Sequence, residues 1–483
     1  MANPFIGYGK VIGGERLVGR QSALDEIFER INRNGGSVAV IGSPRIGKTS
    51  LASEVMNRSA SAGSRLVRSW LDLSTIPGSL ELFEAITEAM ASGIATQDLQ
   101  TYNAIEPIVK LTVTDAYEAY RCARRMLRIG AGAGFAFQLF IDEFDWIRKY
   151  DDSQIAIQRL RDLIYRNFET GLSVVFIARR SLRAIELSIS DVSTLDGVCE
   201  QHYVGPLDAN GFEQLLDRAS GAGWTLSKDD GQLLDHFAGG HPYLAEMILC
   251  RAWVSQTVSE GASRCLGEIF DFYEHLRSLL DEDLLFDQLI QIAIGPRISL
   301  RPGSVERLLR YGLIRAIKTA DEIRYAGWSS HFQQYLERCA RDTPIVDLWK
   351  DTEITLRSVI VDIYTRELGE KWIELVTVRH ASLRPMIDGC IDRMNRERKN
   401  FGNEASVTVL DYCYPMDLWA LIVAEWKFFS TLLGHNKDYW NQRFAHLAKV
   451  RTPTAHNRQF VLPAHEVKLA QAYCEEVLAR VRG

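Results

Sequence analysis

The chain reads as a multidomain protein of α/β plus all-α class. An N-terminal parallel-sheet domain leads into a helical region, then a small helix-and-hairpin piece, then an all-α C-terminal bundle. Three observations predict this. Over the first two hundred residues, short apolar runs of strand length alternate with amphipathic helical stretches, the pattern of a parallel sheet covered on both faces. A glycine-rich turn joins the first apolar run directly to a helix. Beyond residue 345, strand-like runs give way to apolar residues at helical spacing.

Composition sets the bounds. The 483 residues allow about three domains at ~150 residues each. Hydrophobic content of 46% and charged content of 24% are those of an ordinary globular protein. A formal charge of −6 gives no global attraction to nucleic acid, so such a partner needs a local basic patch. The 8 cysteines show no Cys-x-x-Cys pair and no His/Cys cluster, which predicts reduced thiols and no zinc site. Residues 1–5 lack the basic and apolar regions of a secretory leader, and no apolar run reaches the ~18 residues of a membrane span. A cytoplasmic protein is expected.

The first strand is Val38-Ala39-Val40-Ile41, and Gly42-Ser43-Pro44-Arg45-Ile46-Gly47-Lys48-Thr49-Ser50 follows it, with a helix from Leu51 onward. Gly, four residues, Gly-Lys-Thr is the phosphate-binding loop pattern, here in its required strand–turn–helix setting. Glycines let backbone N–H groups wrap a triphosphate, and the helix N-terminus adds its positive end. Gly42, Arg45, Gly47, Lys48, Thr49 and Ser50 are the candidate ligand set. Lys48 is expected on the β- and γ-phosphates, and Thr49 on Mg²⁺.

Upstream, Leu24, Ile27, Phe28 and Ile31 mark an amphipathic helix behind Val18-Gly19-Arg20. A second strand is predicted over 65–73, with helices over 79–91 and 114–128. Phe135–Ile141 is a buried-strand run that ends in Asp142-Glu143-Phe144-Asp145. Carboxylates at the C-terminal end of a parallel strand face the crevice where ligands bind. Asp142 is therefore the candidate Mg²⁺ ligand, and Glu143 the group that orients and deprotonates an attacking water. Ser173–Ala178 is a further buried strand, running into Arg179-Arg180. Residues 201–204 make a fifth strand. Gly239-Gly240 closes one helix, and Pro242 can open the next at its first position.

From 304 to 315 a helix closes at Gly312, a hairpin-like stretch covers 324–328, and a helix covers 330–340, which together suggest a winged helix. Such modules can read DNA. Basic residues on 304–315 are limited to Arg307, Arg310 and Arg315, which favours an intramolecular packing role. The polar link 341–344 contains Pro344 and marks a boundary. Helices are then predicted over 346–367, 371–395, 415–433, 437–449 and 464–480. The resulting domains are 1–206, 207–280, 281–340 and 345–483.

Residues 3–9, the Val18-Gly19-Arg20 turn, the phosphate loop, Asp142–Asp145 and Gly240-His241-Pro242 together resemble the STAND and archaeal-type branch of the AAA-like P-loop ATPases. Gln21 stands where that family often has an acidic residue. The resemblance implies ATP with Mg²⁺ as cofactors and an adenine–ribose cup formed by the N-terminal segment and Arg20. It further implies a γ-phosphate contact from Arg179 or Arg180, and a helical lid whose Pro242 packs near the base.

Near the C-terminus, Arg451-Thr452-Pro453-Thr454-Ala455-His456-Asn457 is similar to the Arg…His signature of HEPN domains, many of which are metal-independent ribonucleases. Thr452 stands where the family usually has Asn, Asp or His. The same spacing recurs loosely at Arg324…His331 and Arg458…His465, and the placement between the last two helices is what separates this pair. On one continuous helix, residues five apart lie about 140° away from each other. A break at Pro453, with Thr452 as cap, puts Arg451 just outside and His456 just inside a helix start, where an anion is favoured. The reaction implied is attack of an RNA 2′-OH on its own phosphodiester, with His456 as general acid–base and Arg451 on the phosphorane charge. Glu353 and Arg357 are secondary candidates for the same cleft, and Arg393, Arg396, Arg398 and Lys399 for RNA phosphates. The family's dimeric habit implies a homo-oligomer.

The expectation is an ATP-regulated ribonuclease of the kind used as a toxin in bacterial anti-phage defence, acting on RNA in response to an unidentified trigger. Two alternatives stand beside it. One is an ATP-dependent switch with a non-catalytic HEPN module that dimerises or binds RNA. The other is a transcriptional ATPase whose winged helix binds DNA.

Overall fold

The computed structural model describes residues 2–482 apart from 34, 62–64, 191–193, 296–299, 319–322, 342–344, 402–405, 407 and 456–462. Two compact units result: residues 1–289 with 302–333, and residues 290–301 with 334–483. The division runs through the 281–340 segment, at helices Phe286–Ala293 and Ser330–Arg341.

The first unit is built on five parallel strands: β1 (Ser37–Ile41), β2 (Leu66–Asp72), β3 (Ala136–Asp142), β4 (Leu172–Ala178) and β5 (Cys199–Tyr203). Their order across the sheet is β2-β3-β4-β1-β5. Every residue of β1 and β4 is buried, as expected for a parallel sheet with both faces covered. Leu24, Ile27 and Ile31 of helix Gln21–Asn32 and Leu51 and Val55 of helix Lys48–Arg58 pack with Val38, Val40, Phe140, Val175 and Ile177. That core fixes the first helix after β1, and so the loop between them. All five strands point their C-terminal ends to one edge, where Ile41, Asp142 and Ala178 end their strands.

Four helices follow β5: Ala209–Gly221, Lys228–Ala238, Pro242–Ala252 and the long Val258–Glu282. Helix Ser304–Arg310 is then followed by an antiparallel hairpin, β6 (Ile314–Lys318) and β7 (Ile323–Gly327), with Ile314 opposite Gly327. Gly312, at φ +65°, is required between them, because a Cβ there would meet the Pro206 ring at 2.2 Å.

The second unit is helical throughout its described residues. Its core gathers Leu356, Ile360, Tyr364, Leu418, Trp440 and Phe444, with the Tyr364 and Trp372 rings stacked at 4.7 Å. Helices Ile345–Leu368 and Ala464–Val481 pack together. Two predicted helices are each broken in two. The 371–395 stretch forms Trp372–Arg379 and Arg384–Phe401, because His380 leaves the helical region at φ −123°, ψ 77° and Pro385 opens the second helix. The 415–433 stretch breaks at Glu425, at φ −118°, ψ 52°. The Glu425 carboxylate accepts from Arg379 at 3.2 Å and His380 at 3.3 Å, so one bend stabilises the other.

A third departure bears on function. Helix Lys437–Ala455 runs through Pro453 instead of stopping before it. The preceding four turns carry the helix on at the cost of one i→i−4 hydrogen bond. Arg451 therefore lies within the last turn of a continuing helix, not outside a new cap. His456 and Asn457 lie outside the described residues.

Candidate functional site: a phosphate loop at the carboxyl edge of the sheet

Gly42 leaves β1 with its N–H donating to the Ala178 carbonyl at 3.3 Å. A Cβ at this position would meet the Val204 carbonyl oxygen at 2.5 Å, so the turn can start only on glycine. Arg45 takes the left-handed region at φ 57° and Gly47 at φ 101°, and helix Lys48–Arg58 starts without a side-chain cap. The N–H groups of that first turn are the donors a phosphate would take.

Lys48 is half-buried, and its ammonium donates to the Ser43 carbonyl at 3.0 Å across the loop. Burial lowers its pKa, while the carboxylates of Asp145, Glu143 and Asp142 oppose that shift. The Thr49 hydroxyl favours the charged form of Asp142, and the Asp142 Oδ1 accepts the Glu143 N–H at 2.9 Å. Burial raises the pKa of Asp142, and also that of Glu143, which the Asp142 charge raises further. Glu143 itself sits at φ 50°, a left-handed turn that aims it away from the strand line. Lys48, Thr49, Asp142 and Glu143 thus come together at one edge of the sheet.

Two of the predicted loop ligands have other partners. The Ser50 hydroxyl accepts the Ile12 N–H at 3.1 Å and so ties the N-terminal segment to the helix. The Arg45 guanidinium lies 4.4 Å above the Tyr243 ring. Arg20 likewise donates to two backbone carbonyls, Ile46 at 3.2 Å and Gly205 at 2.7 Å, and burial lowers its pKa to about 10. This makes Arg20 a clamp between the phosphate loop and the exit of β5.

The turn Gly240-His241-Pro242 is closely fitted. Gly240, at φ +78°, approaches Leu207, and its carbonyl accepts the Leu207 N–H at 2.8 Å. Pro242 opens helix Pro242–Ala252 at its first turn. Between them, the His241 side chain is buried against Phe272 and Trp328, with ring centroids 5.0 Å and 5.9 Å away. Neither ring nitrogen completes a hydrogen bond, although the Pro44 backbone weakly favours the charged ring. Burial, with the positive charges of Arg20, Lys48 and Arg45, pushes its pKa down to about 3.

At the tip of β4, both arginines are engaged. Arg179 pairs with Asp283 at 2.9 Å, and Arg180 with Asp283 at 2.5 Å, Glu282 at 3.0 Å and Asp145 at 3.3 Å. Sequence reading gave Asp145 no role, yet its carboxylate also accepts the backbone N–H groups of Arg179 at 2.5 Å and Arg180 at 3.2 Å. Asp72 was missed as well. It ends β2 opposite Asp142 in register, and its charge raises the pKa of both Asp142 and Glu143. The available signal was an acidic residue at the end of an alternating strand.

In the second unit, Glu353 and Arg357 pair with each other at 2.8 Å, and Trp349 donates to Glu353 at 2.6 Å. Arg393 is committed to the Tyr412 carbonyl at 3.0 Å, Cys390 Sγ at 3.0 Å and Asp417 at 3.3 Å, which removes it from the expected phosphate-binding run. Arg396, Arg398 and Lys399 are exposed on the same helix.

Among the described residues, no three His, Cys, Asp or Glu side chains gather to hold a metal by themselves. Thr49 and Asp142 would hold a Mg²⁺ ion together with phosphate oxygens and water, the ligands Mg²⁺ usually takes. Among the described residues, no helix is long and apolar enough to cross a membrane.

No protein-family model matches the chain, and no curated protein does. Solved structures are similar to it at low identity. A Walker-type ATPase of Pyrococcus abyssi matches at 15% identity over 69% of this chain and 99% of its own, with a TM-score of 0.45. The Cdc6p protein of Pyrobaculum aerophilum matches at 16% identity over 70% of this chain and 98% of its own, with a TM-score of 0.39. The Aeropyrum pernix Orc1 protein, solved in complex with DNA, matches at 15% over 67% and 94%, with a TM-score of 0.36.

Proposed function

We propose that this chain is an ATP-dependent molecular switch that binds and hydrolyses Mg-ATP in its first unit to control an output carried elsewhere in the chain. The observation that carries this is the convergence of Lys48, Thr49, Asp142 and Glu143 at the carboxyl edge of the sheet. The residues fit the group: an uncapped helix start, a left-handed Gly47 with open space around it, and a half-buried ammonium facing carboxylates. When bound, Mg²⁺ supplies charge neutralisation on the phosphate oxygens. Lys48 then holds the β- and γ-phosphates, Thr49 and Asp142 hold the ion, and Glu143 accepts a proton from a water. Its raised pKa makes Glu143 a better base than an exposed carboxylate. Mg-ATP turnover by the purified protein, lost in Lys48→Ala, tests the site.

For the output, the Arg451…His456 spacing supports metal-independent RNA cleavage by a C-terminal HEPN-like domain, with dimerisation through that domain and a role in defence. The helix that continues through Pro453 removes the local geometry that first favoured this pair. A second output is favoured by a separate observation. Arg315, Lys318 and Arg324 are exposed on the β6–β7 hairpin, with Arg307 and Arg310 exposed on the helix before it, a basic wing suited to duplex DNA phosphates. Labelled RNA and labelled duplex DNA, each with and without Mg-ATP, separate the two. RNA cleavage lost in His456→Ala supports the nuclease. Salt-sensitive DNA binding lost in Arg307→Ala/Arg310→Ala, with RNA left intact, supports the DNA-binding switch.

A further inference from the structure

We infer that Glu282 and Asp283, at the C-terminal end of helix Val258–Glu282, compete with the γ-phosphate of a bound nucleoside triphosphate for the Arg179 guanidinium, and so set the triphosphate-over-diphosphate preference of the site. This rests on the nucleotide-binding reading above. Its starting point is that two consecutive arginines at one strand tip differ in how they are held.

Arg180 is an anchor. Its side chain is 7% exposed and meets three carboxylates, Asp145, Glu282 and Asp283, at 3.3, 3.0 and 2.5 Å. Arg179 is more open at 17%, and its ties run to the helix end alone: Asp283 at 2.9 Å, the Leu279 carbonyl at 3.0 Å and Glu282 at 3.4 Å. Arg179 is also the one whose positive charge bears on Lys48. Both arginines, Lys48, Asp142, Glu143 and Glu282 line one cavity of about 640 Å³ beside the phosphate loop.

The chemistry follows from these partners. The last turn of a helix carries partial negative charge, so its C-terminus reinforces the hold of the two carboxylates on a guanidinium. A terminal phosphate on the Lys48 side offers Arg179 two acceptor oxygens for the same bidentate pairing that a carboxylate gives. Asp145 keeps the Arg179 backbone in place through its N–H while the side chain changes partners. Arg180 keeps the helix end tethered throughout. Triphosphate binding therefore carries the cost of releasing Arg179 from the acid pair, and the apparent affinity is reduced by the fraction of molecules in which Arg179 is free. A diphosphate places no group at the γ position and carries no such cost.

The test measures binding of Mg-ADP and non-hydrolysable Mg-AMPPNP to the full chain by calorimetry. Glu282→Gln/Asp283→Asn should tighten Mg-AMPPNP about 10-fold, within the usual range of coupling between sites, and leave Mg-ADP unchanged. Glu282→Gln alone, whose side chain is 55% exposed, keeps the test available where the double variant fails to fold, and should tighten Mg-AMPPNP by a smaller factor. In an Arg179→Met background the acid-pair changes should have no further effect on either nucleotide. Equal tightening of both nucleotides, or no change in the acid-pair variants while the wild type binds both in a Lys48-dependent way, overturns the competition and leaves the nucleotide site standing. Failure of the wild type to bind either nucleotide overturns both.

Discussion

The Arg20 guanidinium donates to the Gly205 carbonyl at 2.7 Å, and with the same nitrogen to Ile46 at 3.2 Å. One side chain thereby ties the helix before β1, the phosphate loop and the exit of β5 into a single frame. An arginine that resembles an adenine-site residue in sequence is, in its contacts, a brace of the loop.

Arg20→Met should therefore destabilise the fold itself. It leaves two carbonyls without their charged donor, a loss of about 1–3 kcal/mol. Urea unfolding should show a lower midpoint with an unchanged slope. An unchanged midpoint with weakened nucleotide binding would return Arg20 to a direct ligand role.

Glu143→Gln should separate binding from turnover. Mg-ATP affinity should stay within a few-fold, and hydrolysis should fall by about 100-fold, the lower end for loss of a general base. Because burial and the Asp142 charge raise the Glu143 pKa, wild-type turnover should fall on acidification at a pH above the ordinary glutamate value of 4.5. The base is lost once it is protonated. Pre-steady-state and steady-state hydrolysis across pH check both statements.

His241 predicts an acid sensitivity. Its folded pKa, about 3, lies below the ordinary value of 6.5, so the unfolded chain binds the proton first. The associated stability is intact above pH 6.5 and is lost as pH falls from there toward 3, at about 1.4 kcal/mol per pH unit. His241→Phe keeps an aromatic ring against Phe272 and Trp328 and removes the titration. The difference in unfolding free energy between the two proteins, measured from pH 7 to pH 4.5, should move in favour of the variant with about a one-proton slope. A flat difference would show that His241 is solvated.

What could be read in the sequence was what is local. The phosphate loop, the buried runs of β1, β3 and β4 and the Asp142-Glu143 pair each announce themselves within a dozen residues, through glycine placement and unbroken apolar runs. The partners of those residues could not be read. Arg179 meets Asp283 across a hundred residues of chain, and Ser50 is claimed by Ile12 through a loop contact that leaves no periodic trace. Asp145 resembled one more acidic turn residue until β4 was laid beside β3. Pro453 shows the opposite failure. A strong local breaker was overridden by the helix already running into it. Glu425 broke a helix with no breaker in the sequence, because Arg379, His380 and Lys427 converge on its carboxylate.

The central claim is that the loop from Gly42 to Thr49 holds Mg-ATP and that Lys48 is its main charge. Calorimetric titration of the full chain with Mg-ATP, beside Lys48→Ala, tests it most directly. Saturable one-to-one binding by the wild type, lost or weakened at least 100-fold in the variant, is the predicted result, since a charge-assisted phosphate contact is removed. Equal affinity in the two proteins, or no binding by a folded wild type, would contradict the account.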